Sequence, residues 1–337
     1  MTARPARTWL VTGGAGFIGS SFVRRALERH PDLGVRNLDK LTYAGNRANL
    51  EGLAPGRHEL VVGDICDPRA VASAMRGVEL AINFAAETHV DRSLMDALSF
   101  VRTDVEGVFV LCEAARAAGL RLFVQISTDE VYGSRLEGAF QESDACNPRN
   151  PYAASKLGGD RLASAYFETH GLPVIVSRGS NTYGPRQHPE KVIPLFITNA
   201  LMDRELPLYG DGLNVRDWTH VEDHCDALLH LIEHGRPGET YNLAAGQART
   251  NKEMAHAILA CLGKPASLVR HVRDRQGHDR RYAVDTSKLK ALGWKPRWDF
   301  ERGLEATVEW YRSNPDWWRP VRDPEFESYY ARQYGGR

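Results

Sequence analysis

Thr8-Trp9-Leu10-Val11-Thr12-Gly13-Gly14-Ala15-Gly16-Phe17-Ile18-Gly19 is the stretch on which the fold turns. Its first five residues have the β-branched and aromatic character of a buried strand, and the apolar spacing over Phe17–His30 predicts a helix. Between them the glycines allow a tight turn and leave backbone N–H groups open to a pyrophosphate at the helix N-terminus. Two glycine registers overlap, Gly14-x-Gly16-x-x-Gly19 and Gly13-x-x-Gly16-x-x-Gly19. Glycines alone also fit a strand–helix turn that binds nothing. Asp39 argues for a ligand: it ends the next strand, twenty residues beyond Gly19, where a carboxylate accepts from both ribose hydroxyls and repels a 2′-phosphate. The loop is expected to hold a dinucleotide, NAD ahead of NADP, with Arg36 and Lys40 as nearby cations that soften the preference. Asp64 and Ile65, closing the third strand, either flank the adenine or make a strand-end turn.

Outward from that loop, apolar runs alternate with amphipathic ones. Strands are expected at Thr8–Thr12, Val35–Asp39, Glu59–Gly63, Leu80–Ala85, Arg121–Ser127 and Pro173–Arg178. Helices are expected at Phe17–His30, Pro68–Met75, Ala97–Ala118 and Tyr152–His170. Near-continuous apolar strands separated by helices predict βαβ units, hence an α/β, doubly wound parallel sheet of the Rossmann type. From Asn181 the rhythm breaks at Pro185, Pro189, Pro194 and Pro207, while Glu222–Leu243 reads as a helix and strand that rejoin the sheet. The chain is therefore divided into a dinucleotide domain, 1–180 plus 220–245, and a smaller α+β unit, 181–219 plus 246–337. A length of 337 residues suits two domains of about 150 residues each.

Composition narrows the function. Forty-three basic and 43 acidic side chains cancel, which argues against nucleic-acid binding through a cationic surface. No apolar run reaches the roughly 18 residues of a membrane span, and Met1–Arg7 leads to the first strand without a signal-peptide core. Cys66, Cys112, Cys146, Cys225 and Cys261 are widely spaced and show no metal or disulfide pattern. A cytoplasmic protein without a metal site is expected. The Trp310-Tyr311 and Trp317-Trp318 pairs are expected to be packing aromatics.

Two further groups carry chemistry. Asn150-Pro151 is a helix start, which puts Tyr152 and Lys156 on one helix face. By itself this is equally the spacing of a surface pair. A tyrosine acting as a base near neutral pH needs about 4 kcal/mol of help to lower its pKa by ~3 from ~10. An ammonium at ~4 Å supplies about that at an effective dielectric near 20. The run Ser127-Thr128-Asp129-Glu130-Val131-Tyr132-Gly133 ends the fifth strand at the ligand-bearing edge of the sheet. Two carboxylates crowded in one cleft repel, so one stays protonated and the pair offers an acid and a base. Adjacent strand residues face opposite ways, so convergence has to come from the turn; a capped turn or solvated loop end is the plainer alternative.

Together the glycine loop, residues 127–133 and Tyr152-Ala-Ala-Ser-Lys156 resemble the extended short-chain dehydrogenase/reductases, and more narrowly the dTDP-glucose 4,6-dehydratases. The likeness runs along the whole chain, through Asp39-Lys-Leu-Thr-Tyr-Ala-Gly-Asn46, Ala85–Ser93, Asn181-Thr-Tyr-Gly-Pro185, Asn214–Trp218 and Asp274–Asp279. The Thr-Asp-Glu triplet is its specific part. Thr88, Thr182 and Gln276 depart from the usual Ser, Asn or Val, and Pro. The resemblance implies a hydro-lyase with tightly bound NAD, regenerated in each cycle. Tyr152 takes the 4-hydroxyl proton as hydride leaves C4, with Thr128 steadying the oxygen and Lys156 holding the ribose. Glu130 removes the C5 proton, Asp129 protonates the departing 6-hydroxyl, and hydride returns to C6. It also implies cofactor contacts from Gly13, Gly16, Phe17, Ile18, Gly19, Asp39, Lys40, Leu41, Thr42, Asp64, Ile65, Ala85, Ala86, Thr103 and Asn181. Nucleotide-sugar contacts are implied for Glu87, His89, Arg92, Thr128, Asn181, Lys191, Pro207, Tyr209, Arg216, Asn251, Arg275 and His278. A homodimer through the helices of 91–118 and 152–170 is implied as well. A UDP-glucose 4,6-dehydratase, another nucleotide-sugar epimerase or dehydratase of the same fold, and a non-catalytic NAD- or sugar-nucleotide-binding regulator remain open at this point.

Overall fold

The first half of the chain supplies β1 (Arg7–Thr12), β2 (Leu33–Asp39), β3 (His58–Val62), β4 (Leu80–Asn83), β5 (Leu122–Thr128) and β6 (Val174–Gly179). The structure is a computed structural model and describes residues 7–334; most of the expected approach to the first strand, 1–6, lies outside the described residues. β7 (Asn181–Tyr183), β8 (Leu206–Tyr209), β9 (Val215–His220), β10 (Thr240–Leu243), β11 (Ala248–Thr250) and β12 (Val269–Val272) follow. Seven strands form one parallel sheet in the order β10-β6-β5-β4-β1-β2-β3. Trp9, Leu10 and Val11 lie at its centre, buried against helices on both faces. Removing a ring such as that of Phe22, fully buried in this layer, costs about 3–5 kcal/mol. As expected for Glu222–Leu243, this segment returns to the sheet: the Val221–His234 helix delivers β10 to the edge beside β6.

The strand order reverses between β1 and β4, and a crevice opens there over the carboxyl ends. Below it a row of amides spans three strands: Thr12 Oγ1 donates to Asn83 Oδ1, and Asn83 Nδ2 donates to Gln125 Oε1 at 2.9 Å. The row satisfies buried polar groups at the crevice floor.

Expected and observed elements differ mostly by a residue at their ends. The exception is Ala97–Ala118, where a π turn at Arg102–Glu106 interrupts the helix. The extra residue in that turn pushes Asp104 against the Pro151–His170 helix. Glycines make the approach possible: a Cβ on Gly158 would lie 2.7 Å from Val105, and one on Gly159 would overlap the Asp104 carbonyl.

The rest of the chain builds a second core. β11-β9-β7 and β12-β8 form small sheets, packed with the Val192–Leu201, Asn251–Leu262 and Phe300–Ser313 helices. Phe196, Ile197, Met254, Ile258, Leu304 and Tyr311 are buried among them, with Trp318. Trp310 and Trp317 pack edge to face against this core, as expected of packing aromatics. Leu289 and Trp294 instead reach back into the core of the large sheet.

Candidate active site

Two adjoining cavities, of about 310 and 150 Å³, occupy the crevice and share Thr88, Glu130, Asn181, Glu190 and Lys191 in their walls. The larger begins at the glycine loop. Gly13 has φ +67°, and a Cβ there would lie 2.6 Å from the Ala85 nitrogen. The Gly16 N–H donates to the Gly13 carbonyl (3.1 Å), and a Cβ on Gly19 would collide with that same oxygen. The working register is thus Gly13-x-x-Gly16-x-x-Gly19. Gly14 is small for a different reason, since the Asn37 amide accepts from its N–H at 2.9 Å and fills the space of a side chain.

Asp39 closes this end. Its Oδ2 accepts from the Ala15 N–H and its Oδ1 from the Leu41 N–H, each at 2.8 Å, so the carboxylate braces the loop it serves. Leu41 has φ +55° and does not line the cavity; its contribution is that backbone N–H. Arg36 is held by Glu59 (2.9 Å) and by the Ala74 and Arg76 carbonyls, and Lys40 by Asp64 (2.6 Å). Neither cation is free to compensate Asp39. Phe17, Ile18, Thr42, Ile65, Ala85, Ala86 and Thr103 complete the wall, Thr103 from the π turn. These residues fit a dinucleotide: a cradle without side chains, an open helix N-terminus and a carboxylate beyond it.

At the middle of the cavity, β5 ends at Thr128 and the chain winds into a 3₁₀ turn, Asp129–Tyr132. Thr128 caps that turn, its hydroxyl accepting from the Glu130 N–H at 3.2 Å. The turn breaks the strand alternation, so Asp129 and Glu130 both line the cavity that Tyr152 and Lys156 line. Asp129 is buried, with Oδ2 unpartnered, and burial together with the Glu130 charge raises its pKa well above the ordinary carboxyl value. Glu130 is better supplied, taking the Tyr282 hydroxyl at 3.1 Å and the Asn150 amide at 3.5 Å on Oε2. Asn150 also caps the Pro151–His170 helix through Ala153 (2.8 Å), which ties the acid pair to the helix bearing Tyr152.

Tyr152 departs from expectation. Burial and the Glu130 and Asp104 carboxylates raise its hydroxyl well above the ordinary phenol value, where a depression by Lys156 was expected. The Lys156 ammonium donates to the Ile126 carbonyl (2.7 Å), and its nearest charges are Asp104 and Asp160. Burial lowers its own pKa, and its charge is spent on those partners.

The smaller cavity collects Lys191, Arg216, Arg275 and His278 with Asn251, His89, Pro207 and Tyr209. Arg216 is fixed by the Val215 and Asp279 carbonyls (2.8 and 2.9 Å), and Lys191 by the Thr88 carbonyl (2.6 Å). Because that last acceptor is backbone, Thr in place of Ser at position 88 leaves it unchanged. Arg275 lies 3.5 Å from Asp91 and keeps its Nε unpartnered, so Gln276 has not removed it from the cleft. Asn181 Oδ1 and Asn251 Oδ1 are likewise buried without partners. His278 bonds Asp274 at 2.6 Å, and burial beside Arg275 lowers its pKa to about 4.

Glu87 joins the larger cavity, its N–H bonded to Asp104 Oδ1 at 3.0 Å. Arg92 does not reach either one. Its guanidinium stacks 3.7 Å over Tyr43 and pairs with buried Glu190 at 2.9 Å, so it supports the wall from behind. The sequence reading missed Glu190, Asp91, Asp104, Tyr282 and His224. Glu190 and Asp91 lack a distinctive spacing to other polar residues; Tyr282 and His224 become visible only when remote segments meet. Thr182, where Asn or Val is usual, bonds His224 Nδ1 at 2.7 Å.

The chain matches the family model described as GDP-mannose 4,6 dehydratase over residues 10–307. It is 51% identical to a dTDP-glucose 4,6-dehydratase of Streptomyces niveus across 94% of this chain and 96% of that one. Among solved structures it superimposes with a TM-score of 0.91 and 50% identity on DesIV, a dTDP-glucose 4,6-dehydratase of Streptomyces venezuelae with NAD and TYD bound, covering 93% and 99% of the two chains. A UDP-glucose 4-epimerase of Thermus thermophilus with NAD shares the fold at a TM-score of 0.84, with 32% identity over 90% and 99%. Fold, acid pair and whole-length identity agree, and the chain belongs to the dTDP-glucose 4,6-dehydratase family of extended short-chain dehydrogenase/reductases.

Proposed function

We propose that this chain is an NAD-dependent hydro-lyase that converts dTDP-glucose to dTDP-4-keto-6-deoxyglucose. The observation that carries the reading is the meeting of Asp129, Glu130 and Tyr152 on one cavity beside the dinucleotide cradle. A 6-hydroxyl leaves only when C5 is acidified by a ketone at C4, so the site needs a base for the 4-hydroxyl, a base for C5 and an acid for O6.

Tyr152 accepts the 4-hydroxyl proton, with the Thr128 hydroxyl beside it to hold the oxygen. Gly13, Gly16, Gly19, Asp39 and Lys156 would hold NAD, which would supply a reversible hydride acceptor between C4 and C6 and a positive ring opposing the burial that raises Tyr152. Glu130 takes the C5 proton and later returns it. Asp129, kept protonated by burial and by Glu130, gives its proton to the departing 6-hydroxyl, which leaves as water. Each such proton transfer contributes roughly 10²–10⁴-fold. Lys191, Arg216 and Arg275 receive the diphosphate, for which Arg's planar fork is suited. Asn181 and Asn251, which line this cavity with buried and unpartnered amide oxygens, are available to the nucleotide sugar. The division into 1–180 plus 220–245 and 181–219 plus 246–337 belongs to this reading, with the cleft between the two.

A homodimer through residues 91–118 and 152–170 is part of the same reading. Leu94, Met95, Leu98, Val101 and Phe109 expose apolar surface along the first of these segments. We place the protein in the cytoplasm, in keeping with five free thiols. No helix among the described residues is long and apolar enough to cross a membrane. The deciding experiment offers dTDP-, UDP- and GDP-hexoses to the purified protein and weighs the products. Loss of one water from dTDP-glucose in preference to UDP-glucose is expected; an unchanged mass with altered C4 configuration means an epimerase, and no conversion means a binding protein.

A further inference from the structure

Tyr282 is buried, and its Oη lies between two carboxylates, 3.1 Å from Glu130 Oε2 and 3.0 Å from Asp279 Oδ2. A phenol has one proton to donate and lone pairs to accept with, so it cannot donate to both at once. Asp279 has a second partner, since its Oδ1 accepts from Arg149 at 3.1 Å. The ring is clamped: the Arg216 guanidinium stacks 4.1 Å from it, and neighbouring Arg281 bridges to Val215. What remains free is rotation of the O–H.

We propose that Tyr282 is a positioning residue for Glu130, a hydroxyl switch anchored on Asp279 that holds the Glu130 carboxyl in place with or without its proton. The inference rests on Glu130 exchanging a proton with the sugar, as proposed above. When Glu130 is ionised, the Tyr282 proton turns toward it and Arg149 alone serves Asp279. When Glu130 holds the proton taken from C5, it donates to the Tyr282 oxygen and Tyr282 donates to Asp279. Every heavy atom stays where it is, and the Glu130 carboxyl keeps a partner in both states; when Glu130 is ionised, Asp279 Oδ2 gives up the phenol proton while its Oδ1 keeps Arg149. A fixed cation in that place would favour only the anion.

The surroundings support this assignment. Asp129, Tyr152, Lys191, Arg216 and Arg275 all face Glu130, yet among the described residues only Tyr282 and Asn150 hydrogen-bond its carboxyl. Asn150 offers an N–H at 3.5 Å, and an N–H accepts nothing from a protonated acid. Burial and Glu130 raise the Tyr282 phenol well above its ordinary value, so the hydroxyl keeps its proton throughout. Arg216, which donates to the Asp279 carbonyl at 2.9 Å, also fixes this segment from the side where the diphosphate is received.

Tyr282→Phe keeps the ring and removes the switch. With dTDP-glucose, kcat is expected to fall about 10- to 100-fold, the loss of one hydrogen bond to a charged group. KM is expected to stay within about twofold, because the stacking under Arg216 survives. The first-turnover appearance of reduced cofactor, read by absorbance, should be unchanged, since it precedes the step at C5. The acid limb of kcat against pH should move up by about one pH unit, because the Glu130 anion has lost a donor. Asp279→Asn should move that limb down: Asn keeps its oxygen toward Arg149 and presents an N–H to Tyr282, locking the phenol proton onto Glu130. Opposite movements support the proposal. A kcat within about twofold of wild type, movements in the same direction, or losses that follow the thermal midpoint or the first-turnover reduction overturn it. Should Tyr282→Phe fail to fold, an acid limb that Asp279→Asn leaves in place or moves up overturns it as well. Wild-type protein that forms no dehydrated product sinks the underlying reading of the site, and a normal wild type with indifferent variants sinks only this inference.

Discussion

At the cofactor end of the cleft the glycine loop and its carboxylate are bonded to one another, with Asn37 Nδ2 left over, while at the nucleotide-sugar end several polar groups have nothing to bond. Asp39 accepts from Ala15 and Leu41, Gly16 donates to Gly13, and Asn37 fills the space beside Gly14. Asn181 Oδ1, Asn251 Oδ1 and Arg275 Nε are buried and unpartnered. The first arrangement is a rigid cradle, as suits a cofactor that stays through every turnover. The second has hydrogen-bonding capacity that a polar ligand completes, as suits a substrate that enters and leaves. The contrast also has a chain-length side. The cradle comes from one βαβ unit, whereas the other end is assembled from residues near 91, 181, 191, 216, 251 and 275.

The contrast is most exposed at the chemistry between the two ends. Tyr152→Phe should lower turnover by about 10³-fold or more while NAD remains bound, because only the acid–base group is lost. A steady-state assay with measurement of bound NAD checks it, and near-normal turnover removes Tyr152 from the mechanism. Asp129→Asn should slow water loss by about 10²-fold and leave C4 oxidation intact, so reduced cofactor accumulates in a single turnover. Rapid dehydration by that variant contradicts the role of acid. At the cradle, Asp39→Ala takes a braced carboxylate from the loop, and NAD affinity should fall about 10- to 100-fold, read by fluorescence titration. At the other end Asn251→Ala removes one waiting acceptor, and KM should rise about 3- to 10-fold with kcat little changed. If the two losses were reversed in kind, with Asp39→Ala acting on substrate and Asn251→Ala on NAD retention, the contrast between the ends would be wrong.

Three buried histidines add a pH test. Burial lowers His188, His220 and His224 to about 4. In the unfolded chain they take protons near 6.5. The unfolded state therefore binds more protons between those values, and their contribution to stability, complete above pH 6.5, is lost as pH falls toward 4. The slope is on the order of 1 kcal/mol per histidine per pH unit. Asp104, raised to about 6 by burial, acts in the opposite sense over part of that range. His220→Asn keeps an acceptor for the Glu222 N–H and abolishes the titration, so the thermal midpoint should fall less steeply on acidification than in wild type.

Much of the site was legible because its chemistry is written in contiguous residues. The glycine loop with Asp39, the Thr128-Asp129-Glu130 triplet and the Tyr152–Lys156 spacing each belong to one segment, and each lands in the same cavity. Arg92 and Leu41 show where such reading stops. Both stand in segments that touch the cleft, yet one stacks on Tyr43 behind Glu190 and the other contributes only a backbone N–H. Which way a side chain turns is settled by neighbours far away in sequence. Tyr152 makes the same point for energetics: it shares a helix with Lys156, but burial and the remote Glu130 and Asp104 carboxylates raise its hydroxyl, while Lys156 is taken up by the Ile126 carbonyl and by Asp104 and Asp160.

The alternation of apolar strands with helices and the order of residue types along each segment were enough to set the parallel sheet, its glycine crevice and the reactive groups at its edge. These are local patterns, fixed by backbone periodicity and the needs of a phosphate loop. Only the folded chain decided that a 3₁₀ turn after Thr128 swings both acids to one side, that a π turn presses Asp104 toward Lys156, and that Tyr282 meets Glu130 across 152 residues. Those outcomes depend on side-chain packing and desolvation between distant segments, which no single stretch of sequence contains.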